Sequence, residues 1–194
     1  MGAAAQAVVE LVGRRGRDRL EPGEPGQHQR PGEKGGDQTG PNPTDRGKAG
    51  SKYHLVVDRN GIPLAIRLSP ANAHDGTQLL PLVDAIPPII GPRGKPGRPR
   101  KRPSKLHADK AYDASALRRA LRSRGITPRI ARRGIESSER LGRHRWVVER
   151  TFAWLLGCRR LGVRYERRAD LLRGLLHLAC SLICLRFLPP VPLA

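Results

Sequence analysis

At 194 residues the chain can form one globular domain with a sizeable core and some tail. Lys and Arg outnumber Asp and Glu by 37 to 17, and a net charge of +20 implies a polyanionic partner, most simply nucleic acid. Three cysteines without a CxxC pair (Cys158, Cys180, Cys184) give no sign of disulfides and read as buried thiols, and the apolar stretch Leu171 to Leu188 is interrupted by Arg173, His177 and Arg186, which favours a core helix over a membrane span.

Residues 1–50 begin with a short apolar piece, Ala3 to Val12. They continue as a Gly-, Pro- and charge-rich stretch with neither strand nor helix periodicity. Such a segment buries too little apolar surface to offset its ordering entropy, so a mostly disordered N-terminal arm is expected. It carries no secretory leader of a basic start followed by a solid apolar run, and a cytoplasmic, bacterial nucleoid-associated protein is expected.

Order is expected over 51–188, with 189–194 as a tail. YHLVVD (Tyr53 to Asp58), Arg59-Asn60-Gly61 and IPLAIRLS (Ile62 to Ser69) read as a β-hairpin with Asn-Gly in the turn. Asp75 is the expected N-cap of a helix through Leu79, Leu82 and Val83; Pro81 threatens it and Pro87-Pro88 end it. Arg93 to Lys105 is a basic Pro/Gly-rich loop. KLHAD (Lys105 to Asp109) reads as a strand, then a helix capped by Asp113 runs through Arg122, and ITPRIA (Ile126 to Ala131) reads as another strand. A long helix from Glu139 should send Trp146, Val147, Phe152, Trp154 and Leu155 to the core, and a last helix spans about Ala169 to Phe187. The order is that of an α/β domain, and it would match an RNase H-like fold if one further strand came first.

Two segments bear on chemistry. HADKAYD puts Asp109 at a strand end, and RHRWVVERTFAWL puts Glu149 on a helix. Carboxylates so placed can share Mg²⁺, a hard cation that prefers oxygen ligands. A paired ion site can activate water or a 3′-hydroxyl and stabilise a leaving oxygen. Spacing alone equally allows Asp109 as a turn cap and Glu149 as a surface partner of Arg145 or Arg150. The loop GRPRKRP (Gly97 to Pro103) fits either an arm entering a narrow A·T-rich minor groove or a solvated charge run touching phosphates.

Taken together, GPNPTDRGKAGSKYHLVVDRNGIPL, ANAHD, GRPRKRP, ADKAYD and RWVVERTFAWL resemble, in order and spacing, the DDE-type transposases of bacterial insertion sequences. The resemblance spans roughly Asp37 to Leu188. It implies an RNase H-like fold, Asp109 as the second catalytic Asp, Glu149 as the catalytic Glu, and Mg²⁺ or Mn²⁺ between them. Arg145 matches the family's Arg-x-x-x-Glu pattern. It also implies duplex DNA as partner, contacted by Arg98, Arg100, Lys101, Arg102, Lys110 and Arg145, and a homo-oligomer that brings two ends together. Gly142 and Leu156 stand where the longer signature often has Tyr and Lys. His74-Asp75 also matches a recurring family segment and reads as helix-start structure.

The family's first Asp belongs on a strand before the hairpin, where this chain has Pro/Gly-rich coil. Asp18, Asp37 and Asp45 lie in no strand-like alternation, and Asp58 sits at a hairpin turn, where Asp commonly serves the turn. Synonymous codons for Leu20 to Lys34, read one nucleotide later, can spell Trp-Ser-Arg-Ala-Ser-Leu-Asp-Ser-Ile-Ser-Val-Arg-Ala-Lys, a strand with a central Asp, provided that Gly26 is encoded GGA. A frameshift that returns to frame near Glu33 to Gly36 is therefore expected. It would leave an incomplete RNase H-like sheet without its central strand and a defective transposase with a weakened metal site. The alternative is a non-catalytic DNA-binding remnant acting on element ends or on an intact transposase. An unrelated basic RNA-binding protein would require the ordered segments to be coincidence.

Overall fold

The computed structural model describes residues 6–10, 36–41, 49–90, 98–132 and 142–188, of which 6–10 and 142–145 are described by their backbone alone. Its strands are β1 (Gln6–Glu10), β2 (Gly40–Pro41), β3 (Ala49–Asp58), β4 (Pro63–Pro70), β5 (Lys105–Ala108) and β6 (Thr127–Ile130). Its helices are α1 (Gly76–Asp84), α2 (Ser115–Ser123), α3 (Gly142–Leu156), α4 (Arg159–Gly162) and α5 (Ala169–Leu185). The main sheet runs β4-β3-β1-β5-β6, with β2 paired to the start of β3. The first three strands are antiparallel neighbours and the last three parallel ones. This is a mixed α/β sheet of the RNase H-like kind. The central slot, expected to be empty, is taken by β1, a five-residue strand.

β3 and β4 form the expected hairpin, although β3 begins four residues before Tyr53. Asp58 serves the turn, its Oδ1 accepting from the backbone N–H of Asn60 and of Ile62, both at 2.8 Å. Gly61 has φ +91°, a conformation that costs glycine little and other residues more. A side chain there would also meet Arg150 and Thr151.

Alternation along β3 distributes the core to both faces of the sheet. Tyr53, Leu55 and Val57 join Ile66, Leu68, Val147, Val148, Phe152 and Leu155 with the inner face of α5. Val56 faces the other way, onto Leu79, Leu82, Leu106, Tyr112, Leu121 and Ile130. α3 and α5 therefore cover one face while α1 and α2 cover the other.

Several local expectations change in the structure. Asp75 occupies the N-cap position of α1, but its carboxylate bonds Lys52 at 2.9 Å, and it is His74 Nδ1 that accepts the Gly76 N–H at 3.1 Å. The part-buried ammonium of Lys52 is the stronger attraction. Pro81 lies inside α1 without ending it, on the exposed side where its missing N–H faces solvent. α2 starts two residues after Asp113, whose carboxylate takes a two-pronged contact from Arg118 at 2.7 and 2.9 Å instead of capping. Trp146 does not enter the core: it is 52% exposed and lies against Arg150, whose guanidinium packs between the Trp146 and Trp154 rings at 4.7 and 4.9 Å. The expected start of α3 at Glu139 lies outside the described residues.

Residues 36–41, expected from the sequence to belong to the arm, are tied to the domain. Arg164 donates to the Asp37 carbonyl at 2.7 Å and to the Ser51 hydroxyl, while the Asp37 N–H donates to the Arg167 carbonyl at 2.9 Å. Among the cysteines, Cys180 is buried, Cys184 half-buried and Cys158 exposed, and all are free thiols. Burial pushes the Cys180 thiol up to about 12.

His54 is fully buried on β3, its Nε2 2.6 Å from the Ser69 hydroxyl and its Nδ1 without a partner among the described residues. Burial pushes its imidazole down to about 4, against the pull of Asp75 and with the help of Lys52 and Arg67. Between the unfolded value near 6.5 and about 4, the unfolded chain binds the proton and the folded one does not, so acid favours unfolding across that window. Denaturant titrations should show the folding constant falling by up to about tenfold per pH unit from about 6.5 towards about 4. His54→Gln should flatten that segment of the profile; an unchanged slope would show that His54 does not set it.

Candidate functional site

Asp109 is the first residue after β5, at the carboxyl end of a strand flanked by parallel neighbours. Its backbone is extended, its Oδ1 accepts the Lys110 N–H at 2.6 Å, and it caps a single 3₁₀ turn over Lys110–Tyr112. In sheets of this kind, ligands bind outside the carboxyl ends of parallel strands, because the chain there departs into loops and leaves a crevice. β1 is paired in parallel with β5 from Gln6↔Lys105 to Val8↔His107. Continued by two residues, that register brings Glu10 level with Asp109. The sequence alone does not point to Glu10, because five residues of a short apolar piece give little strand signal.

Glu149 lies on the exposed side of α3. The buried Thr151 hydroxyl, two residues on, donates to the Gly61 carbonyl at 2.9 Å, and Arg150 donates to the Asn60 carbonyl. This turn of α3 therefore sits at the β3–β4 turn. Asp58 pairs with Ala7, and Ala7 with Leu106, so the β3–β4 turn is level with the start of β5. Asp109 stands about three residues further along, roughly 10 Å in strand rise. Arg145 is on the first turn of α3, and its side chain is not among those described.

Arg98, Arg100, Lys101 and Arg102 are all exposed. Arg100 exchanges backbone hydrogen bonds with Ile89 at 2.8 and 2.9 Å, Arg102 donates to the Arg124 carbonyl at 3.4 Å, and Ser104 accepts from the Thr127 N–H at 2.9 Å. These contacts fix the basic loop at the start of β5 and β6, the end opposite Asp109. Asp84 stands there too, and the hydrogen bonds of Arg124, aided by Arg102 and Lys101, hold its carboxyl below the usual range. Of the expected DNA-contacting residues whose side chains are described, only Lys110 lies beside Asp109.

Other cations do lie at the Asp109 end. A cavity of about 450 Å³ is lined by Asp113, Ser115, Arg118, Arg119, Arg122 and Arg132. Sequence reasoning missed it because its members come from the β5–α2 turn, one face of α2 and Arg132 after β6. The signal was faint: Arg118, Arg119 and Arg122 recur at helical spacing.

The donor chemistry of Asp109 and Glu149 suits a hard divalent cation. Among the residues whose side chains are described, no group of three or more His, Cys, Asp or Glu could hold a metal ion. No helix among these residues is long and apolar enough to cross a membrane.

A mixed sheet with a carboxylate at the end of its inner parallel strand, in a strongly cationic chain, is the arrangement of an RNase H-like α/β domain. Residues 24–184 match the family described as Transposase DDE domain, and the chain belongs to that family. It is 58% identical over 147 residues to a putative transposase for insertion sequence element IS402 of Burkholderia cepacia, covering 76% of this chain and 68% of that one. It is 32% identical over 142 residues to a putative transposase for IS6501 of Brucella ovis, covering 70% and 98%. A transposase for IS1106 of Neisseria meningitidis serogroup B is 26% identical over 118 residues, covering 56% and 36%. Members of this family usually depend on a divalent metal.

The two carboxylates should differ in what they do for stability. Asp109→Ala removes a cap and should cost about 1 kcal/mol, whereas Glu149→Gln on an exposed helix face should stay within about 0.5 kcal/mol. Chemical denaturation of both variants tests this; a large destabilisation by Glu149→Gln would give that residue a structural role.

Proposed function

We propose that this chain is a defective insertion-sequence transposase that binds element ends and target as double-stranded DNA but does not complete strand cleavage and transfer. The observation that carries this reading is the family match, which spans both Asp109 and Glu149. Asp109 and Glu149 would hold the family's metal, whose chemistry would be to activate a water or 3′-hydroxyl and to neutralise the leaving oxygen. Here two carboxylates of suitable chemistry stand without a third among the described residues, so Mg²⁺ or Mn²⁺ would be held weakly. The lost Asp is assigned to a frameshift before residue 36. Such a protein would work in the bacterial cytoplasm on nucleoid DNA. In a non-catalytic form it would occupy element ends or join an intact transposase.

A homo-oligomer is part of this reading. Leu171, Leu178, Leu182 and Leu185 recur on one side of α5, each more than half exposed. From Gly174 to Leu185 the helix bears no Asp, Glu, Lys or Arg. In a chain of net charge +20, a charge-free apolar stripe is where two copies meet with least repulsion.

The full chain should bind terminal-repeat duplexes in gel-shift assays without cleaving them at millimolar Mg²⁺. Cleavage that disappears in Asp109→Ala and Glu149→Ala would overturn the defect, and preference for structured RNA over duplex DNA would overturn the DNA reading. Nucleotide sequencing from about 300 bases upstream through codon 40 tests the frameshift: stops in the shifted frame would end that idea. In sedimentation velocity, Leu178→Glu with Leu182→Glu should shift an oligomer to monomer, and a wild-type monomer would remove the oligomer.

A further inference from the structure

We propose that the arginine-lined cavity beyond the ends of β5 and β6 is a binding site for the phosphodiester backbone of DNA, seating a strand beside Asp109. The proposal rests on the DNA-binding reading above and extends it to residues that reading does not use.

The cavity is built from three directions. The 3₁₀ turn that Asp109 caps leads directly to Asp113 and Ser115, because the Tyr112 N–H closes on the Asp109 carbonyl and the Asp113 N–H on that of Lys110. α2 supplies Arg118, Arg119 and Arg122, and the chain leaving β6 supplies Arg132. Arg118 is the fixed member: it bonds Asp113 and donates to the Ile130 carbonyl at 2.8 Å, joining the exits of β5 and β6. That pairing neutralises the one acid in the lining. Arg119, Arg122 and Arg132 are exposed, and no acidic partner faces them among the described residues. The net excess is therefore three guanidinium groups around about 450 Å³, the size of an ordinary ligand site.

Guanidinium is the group best matched to a phosphate, since its fork donates to two oxygens at once. The cavity is lined by one face of α2 and the chain around it rather than by sheet residues, and three of its arginines are exposed, which suits a continuous strand better than an enclosed small anion. It also lies at the Asp109 end of the sheet, whereas the basic loop Arg98–Arg102 lies at the other. The cations most visible in the sequence are thus not those best placed to hold a strand near Asp109.

The test uses the full chain and fluorescence anisotropy on a duplex, with affinity measured from 50 to 200 mM KCl. Each phosphate left without its cation should reduce the log–log salt slope by about 0.9. R119A/R122A/R132A should therefore flatten it by about 2 to 3 units, with the unfolding midpoint unchanged because Arg118 is kept. The charge-matched variant R59A/R67A/R173A removes three exposed arginines elsewhere and should change the slope by less than one unit. Equal flattening in both variants, or none in the cavity variant, overturns the site while leaving DNA binding intact. Selective loss of inorganic phosphate binding with duplex binding unchanged makes it a free-anion site and overturns the proposal. A wild-type chain that binds no duplex at all removes both this site and the reading beneath it.

Discussion

The structure depends on β3 being buried on both faces. From Tyr53 to Val57 every residue of the strand is buried, and consecutive side chains point to opposite sides of the sheet. A strand of this kind is stable only if a layer of helices covers each side, and α3 with α5 supplies one layer while α1 with α2 supplies the other. Burying a residue the size of Leu or Val contributes about 1.5 to 3 kcal/mol, so a single exposed face would lose several such contributions together. The same demand explains the central place of β1. Without a neighbour on that edge, the inner backbone groups of β3 and β5 would be left without hydrogen-bond partners.

Among the described residues, five acidic side chains are committed to architecture by ion pairs. Asp75 with Lys52 joins β3 to α1; Asp113 with Arg118 joins the exits of β5 and β6; Asp84 with Arg124 ties α1 to the end of α2. Glu166 with Arg160 and Asp170 with Arg168 serve the segment between α4 and α5. Most of these pairs are partly exposed and individually worth little, but they fix which cations remain available. Arginines outnumber the acids, and the surplus is displayed at both ends of the sheet.

That two-ended display gives the domain its polarity. The hairpin turn, the Glu149 turn of α3 and the Arg98–Arg102 loop gather at the start of β5. Asp109, Lys110 and the arginine cavity gather at its finish.

Much of the chain could be read from the sequence. The Asn-Gly turn, the apolar run of β3, the strand before Asp109 and the Leu-rich last helix are local signals, set by backbone preference and hydrophobic periodicity over a few residues. The ordered segments likewise located Asp109 and Glu149 as the residues of interest. What only the tertiary structure decided depends on partners distant in sequence. Lys52 drew Asp75 away from its cap and Arg118 did the same to Asp113, because a part-buried charge outweighs a local cap. Arg150 held Trp146 at the surface. β1 became a central strand although its own five residues promise little, since a strand between two unsatisfied edges is stabilised by both. The arginine cavity exists only where α2, the β5 exit and the β6 exit converge, and no stretch of sequence contains that meeting.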